Sequence, residues 1–373
     1  MKKSGAKVQL LRQKINILLS KNIFSQKKTV LLQKKLMQIL LRKTINPPIP
    51  LVALWVVGCA LLWFVPAKIL PAYIENQNIL PLTRLLQTVL PASNIITTIV
   101  CLVLSFVNSI LLYQLNNIFT IVREKTFVLF LTFFILISAF NSVHYNITAN
   151  LALTFLLISF FNFLKMYRRT EQTEAAFLSS FLIACIGWLL FPEFLLLFVP
   201  VWLGIAQLRA MSLRVFLATL IGMITPAIFC FAIFCFALNQ NYFQFFISLF
   251  ENIGLKWLLV WKNLINFHSI FFVIIFIMWI LSLFGIYTNA LLNNFRTRTN
   301  LNFILIFFIS ILIILICFPQ AFYMFLPILV ALFAVFFSHP VTLRTSNFYG
   351  IIFIVFCVIN AIYVLCNLIA NYL

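Results

Sequence analysis

Residues 175–208, AAFLSSFLIACIGWLLFPEFLLLFVPVWLGIAQL, are 34 positions of almost unbroken apolar sequence with one carboxylate, Glu193, near their centre. As a single helix this run would extend about 51 Å at 1.5 Å per residue, well beyond the roughly 30 Å hydrocarbon core of a bilayer. Pro192 has no amide to donate and biases Phe191 away from helical backbone. The run is therefore expected to fold as a tight hairpin of two short spans, broken at Phe191-Pro192-Glu193, with the carboxylate at the turn.

Similar runs recur along the chain. Hydrophobic residues make up 64% of the sequence and charged residues 9%, which excludes a water-soluble globule. The apolar segments predict spans at 51–70, 94–114, 127–143, 148–166, 175–190, 194–208, 215–237, 269–290, 301–318, 321–338 and 348–370. The expected fold class is all-α: a polytopic membrane helical bundle of about eleven transmembrane helices occupying residues 47–373. Pro66, Pro226 and Pro327 fall inside spans, where a neighbouring helix or water can satisfy the carbonyl each one frees.

Charge sets the expected orientation. With the N-terminus inside, 22 of the 26 Lys and Arg residues fall in cytoplasmic segments. These include Arg123, Lys125, Lys165, Arg168, Arg169, Arg209, Arg214, Arg296, Arg298 and Arg344. Only Lys68, Arg84, Lys256 and Lys262 fall outside, so the bias predicts the N-terminus in and the C-terminus out. The net charge of +20 could suit nucleic acid, but the basic residues flank hydrophobic runs. Contact with anionic membrane lipids accounts for them, and no nucleic-acid partner is expected.

Residues 1–46 are basic and amphipathic, with Leu10, Leu11, Ile15, Leu18 and Leu19 at nearly helical spacing. One reading is a cytoplasmic interfacial helix; the other is that translation starts at Met37. No cleavable signal peptide is expected, because the first long apolar run begins at Leu51. All eight cysteines sit inside apolar runs without a C-x-x-C pair, which indicates neither disulfides nor a zinc site.

The spans carry no carboxylate or basic residue clearly at mid-membrane depth, which argues against a proton-coupled pump. There is no Walker loop, dinucleotide fingerprint or H-E-x-x-H helix, and neither a cofactor nor a metal is expected. Candidate chemistry gathers instead in the outward segments. Glu75 and Arg84 lie in the first outward loop; Asn141, His144, Tyr145 and Asn146 form the second, Glu193 the third, and Glu251 and His268 belong to the fourth. A carboxylate near hydrocarbon can act as acid or base, and a neighbouring Arg or His can hold a phosphate or sugar. The expected catalytic set is Glu193, His144 and Glu75, with Arg84, Tyr145 and Asn146 binding substrate. The plainer alternative makes each of them a turn or interface residue. His339, beside Pro340, reads as a turn residue, and Asn108 and Asn162 as bonds between helices. Asn146-Ile-Thr matches a glycosylation sequon in a loop too short to be a good acceptor. Trp257 and Trp261 in residues 239–268 suggest a helix lying in the headgroup zone.

Residues 115–231 resemble a family of polytopic inner-membrane proteins from Bacteroidota. The likeness rests on LNNIFTIVREKTF, FNSVHYN and FLIACIGWLLFPEFLLLFVPVWLGIAQLRAMSLRVFLATLIGMITP. It implies a bacterial inner, cytoplasmic-membrane location and a multi-pass architecture, and carries no activity. The chain is also similar, more distantly, to the GT-C class of membrane glycosyltransferases, which use polyprenyl-phosphate-linked sugar donors. That likeness implies a catalytic acid in the first outward loop, where this chain offers Glu75 and has no Asp at all. The expected function is action on a lipid-linked or envelope glycan intermediate at the outer leaflet. A non-catalytic membrane subunit or scaffold, and a lipid flippase or uncoupled carrier, are the alternatives.

Overall fold

A computed structural model describes residues 49–64, 95–122, 126–237, 267–288, 294–342 and 347–372, with Thr83, Leu86 and Val89 as single positions. Residues 1–48, Glu75, Arg84, Glu251, Trp257 and Trp261 lie outside the described residues. The helices are α1 (Ile49–Leu62), α2 (Ile95–Phe119), α3 (Val128–Ser138), α4 (Asn141–His144), α5 (Ile147–Lys165) and α6 (Thr173–Cys185). They continue as α7 (Phe198–Gln207), α8 (Leu213–Ala237), α9 (Phe267–Thr288), α10 (Phe295–Cys317), α11 (Phe322–Thr342) and α12 (Asn347–Tyr372). No strand occurs among the described residues.

Among the described residues, eight helical segments are long and apolar enough to cross a membrane, so the chain is a multi-pass integral membrane protein. Three of the eleven expected spans correspond to shorter apolar helices, Val52–Leu62, Val128–Ser138 and Pro192–Gln207. The second of these is only 11 residues and buries every one of them. It packs against α1, α2 and α11, so protein rather than lipid surrounds it.

The centre of the bundle is α11. It is 94% buried, against 28% for α8 and for α12. Pro327 and Pro340 both lie inside it. His339, expected in a turn, is fully buried within this helix instead. Its proline neighbour does not end the helix, because the surrounding helices hold the backbone in place. On the peripheral helices Ile221, Ile228, Phe229, Ile354, Ile362 and Leu365 stay exposed, as side chains do that face acyl chains.

A polar seam joins α2 to α5. Ser105 donates to Asn150 Oδ1 at 3.0 Å, and Asn108 Nδ2 donates to the Asn150 carbonyl at 3.1 Å. Thr154 donates to Asn108 Oδ1 at 2.8 Å. Asn150 Nδ2 reaches back to the carbonyls of Val143 and Asn146, both at 3.0 Å. Asn108 thus bonds between helices, as its position suggested. Hydrogen bonds of this kind average about 0.6 kcal/mol each inside a membrane, and an orphaned buried carbonyl adds about 1–3 kcal/mol. Asn150→Leu is expected to destabilise the protein by about 2 kcal/mol, read as a lower unfolding midpoint in detergent. A midpoint equal to wild type would show that the seam contributes nothing.

The helix ends sort into two poles. Of ten charged residues described, nine lie at one: Lys165, Arg168, Arg169, Glu171, Glu174, Arg209, Arg214, Arg296 and Arg298. Bonds between connections tie this basic pole together. Arg168 N donates to Leu208 O at 3.0 Å, Ser212 to Thr170 O at 3.0 Å, Thr297 to Thr120 O at 3.0 Å, and Asn300 to Phe119 O at 3.1 Å. The tenth, Glu193, is the one charged residue at the opposite pole among the described residues.

Candidate functional site

The hairpin forms where proline chemistry predicted. α6 runs on through a wider turn, Ile186–Leu190, closed by Phe191 N donating to Ile186 O at 2.9 Å. Such π-turns are uncommon and recur at functional sites. Phe191 is extended, at φ −147° and ψ 115°, and Pro192 begins a tight 3-10 turn, Pro192–Leu197, that leads into α7. The arms meet at Gly187, where an added Cβ would fall 2.5 Å from a Leu195 methyl.

Glu193 occupies the first turn after this break, outside the spanning segments. It is half-buried, and loss of water around it pushes its carboxyl up from the usual carboxylate range, partly opposed by its own backbone amide. Two contacts tie this turn to other parts of the chain, and a third reaches the same end of α11. Phe194 stacks on Phe325 of α11, with ring centres 4.3 Å apart. Buried Thr83, from the first long connection, donates to Leu190 O at 3.1 Å. Asn146 Nδ2 approaches Met324 Sδ at 3.4 Å, one residue from Phe325. The second and third outward segments expected from the sequence therefore meet on the start of α11, and Thr83 of the first bonds to the end of the π-turn.

The other candidates have defined places. His144 is 1% exposed, its ring stacked on Trp63 at 4.1 Å with Nε2 donating to Ser138 O at 3.2 Å. Trp63 Nε1 in turn donates to Ser138 Oγ at 2.9 Å. Burial drives the imidazole down to about 3, with the Ser138 carbonyl opposing, so His144 is neutral at physiological pH. Asn146 caps α5: its Oδ1 accepts from Ala149 N at 3.0 Å and from Thr148 at 2.8 Å. At 6% exposure it is closed to glycosylation. Tyr145 is half-buried beside His144. Glu75 and Arg84 lie outside the described residues, and His268 is described only as part of α9.

No three His, Cys, Asp or Glu residues among those described gather as a metal site. A void of about 10 Å³ between Leu112, Leu153, Phe160, Ile304 and Ala331 is lined wholly by apolar side chains. The sequence treated the arginines of the basic pole only as markers of orientation. The structure brings four of them, from two connections and the first turn of α10, around shared aromatic rings. Phe295 and Tyr167 beside those arginines were the only hint. No family model, no curated protein and no solved structure matches this chain.

Proposed function

We propose that this protein sits in a bacterial cytoplasmic membrane with its basic pole inside, and handles a lipid-linked envelope intermediate at the outer leaflet through Glu193. The observation that carries the reading is the place of Glu193: it sits in the first turn after the Pro192 break, directly beyond a π-turn, with its carboxyl pushed up by loss of water. A carboxyl raised by desolvation holds a proton more readily than an ordinary carboxylate, which suits an acid or base in transfer of a sugar or phosphate from a polyprenyl-phosphate donor. Glu75 and Arg84 lie on either side of Thr83 in the sequence of the first outward segment, and would supply the second acid and the phosphate contact. The resemblance of residues 115–231 to the Bacteroidota family, read from the sequence alone, supports the location only; the more distant GT-C resemblance supports the chemistry, and the clustering of basic residues at one pole supports the orientation.

A non-catalytic membrane subunit is the second reading. It is favoured by His144 and Asn146, whose polar atoms are engaged within the fold.

Membrane lipid mass spectrometry decides between them. Depletion of the protein is expected to raise polyprenyl-phosphate-linked sugars, or one envelope lipid, by several-fold. Glu193→Gln, at normal abundance, is expected to reproduce that build-up. An unchanged lipid profile in both strains, alongside a growth or secretion defect, sinks the first reading in favour of the second.

A further inference from the structure

The basic pole contains an unassigned cluster of cations. Guanidinium carbons of Arg168, Arg209 and Arg298 lie 5.2, 5.2 and 5.8 Å from the centre of one ring, Phe295. Arg168 also stands 5.4 Å from the Tyr167 ring, which Arg296 approaches at 5.8 Å, as it does Phe119. Four like charges in so small a space repel one another, and no described carboxylate pairs with any of them. Arg169, next in sequence, is engaged differently: with the Gln172 carboxamide in the orientation its neighbours require, Oε1 accepts from Arg169 Nη1 at 3.0 Å.

The fold holds the cluster in place. Arg168 and Arg209 both adopt left-handed backbone, at φ 56° and 57°. That region is unfavourable for any residue with a Cβ. The amide of Arg168 bonds to the carbonyl just before Arg209, so the two corners are locked to each other. Contact with an aromatic face occupies the flat side of a guanidinium and leaves its in-plane N–H donors free for an anion. The uncapped first turn of α10, behind Asn294, adds backbone amides with no side-chain partner.

Apolar surface adjoins the cluster. Leu213 is 75% exposed, Ile118 59% and Phe295 45%. A ligand that meets both features carries phosphate at one end and acyl chains at the other. We propose that Arg168, Arg209, Arg296 and Arg298 form a binding site for the headgroup of an anionic membrane lipid, and that four guanidiniums suit a headgroup with two phosphates. Each phosphate takes a bidentate pair of charge-assisted bonds, and the chains lie along Ile118 and Leu213.

Native mass spectrometry of the full-length protein in detergent tests this with cardiolipin, phosphatidylglycerol, phosphatidylethanolamine and inorganic pyrophosphate as probes. Wild type is expected to retain cardiolipin at least tenfold more tightly than phosphatidylethanolamine, with phosphatidylglycerol between them. The double variant Arg209→Gln, Arg298→Gln is expected to lose most of that preference while keeping the wild-type elution volume and unfolding midpoint. Arg169→Gln, which removes a neighbouring charge outside the cluster, is expected to keep it. Equal binding of cardiolipin and phosphatidylethanolamine overturns the proposal, as does an equal loss in Arg169→Gln and the double variant. Displacement of cardiolipin by pyrophosphate at matching concentration overturns the assignment to a lipid.

Discussion

Trp63→Ala is expected to destabilise the protein by about 3–5 kcal/mol, the range for removing a large aromatic side chain from a core. The indole is fully buried, lies face to face with His144, and donates its N–H to Ser138 Oγ. That hydroxyl in turn donates a hydrogen bond to Phe134 O at 2.7 Å. Removal therefore leaves a cavity beside the imidazole and takes away the only described donor to the Ser138 hydroxyl. Trp63→Phe keeps a ring over His144 and loses mainly one hydrogen bond, so about 1 kcal/mol is expected there. Heating in detergent followed by size exclusion ranks the two variants against wild type. Equal midpoints for Trp63→Ala and Trp63→Phe would show that the ring stack does not hold this end of the bundle.

Gly222→Val is expected to force α6 and α8 apart. A Cβ at Gly222 would stand 2.5 Å from Ser180 Oγ, 2.7 Å from Phe177 O and 3.2 Å from Phe181 N. The hydroxyl can turn aside, but the other two atoms are backbone, so the helices themselves must separate. Close approach through a small residue is the usual way membrane helices pack, and overpacking costs about 1–3 kcal/mol or more. Gly58 is the internal control, since nothing lies within 4 Å of a Cβ built there. Gly58→Ala is expected to be neutral or slightly stabilising, and Gly222→Ala destabilising, in the same thermal assay. The same sign for both would remove the argument from close packing.

Local chemistry was legible in the sequence. Pro192 broke the long run where its missing amide and the restriction on Phe191 demand. Asn108 bonded across to α5 because an amide in hydrocarbon needs a partner. What depended on distant partners was not legible. His144 and Asn146 read as exposed loop groups until Trp63 and Met324, far away in the chain, closed over them. The centrality of α11 was equally hidden. Acyl chains and protein interior select the same apolar side chains, so residues 322–342 look no different from a lipid-facing span. For the same reason His339 beside Pro340 suggested a turn, although the surrounding helices keep both in α11. The arginine cluster was invisible because 168, 209, 296 and 298 come together only when two connections and the start of α10 fold onto the Phe295 and Tyr167 rings.

The burial of α3 bears on how the protein is made. At 11 residues this helix is about 16 Å long, roughly half a bilayer's hydrocarbon thickness. Its full enclosure depends on α11, which leaves the ribosome nearly two hundred residues later. At elongation rates near 5–20 residues per second, that interval is roughly 10–40 s. Throughout it, Thr132, Ser138 and the turn that follows lack their final enclosure. α3 must therefore wait in the membrane, shielded by α1, α2 or an insertion chaperone, and a nascent chain stalled before residue 322 is expected to be a substrate for quality-control proteases.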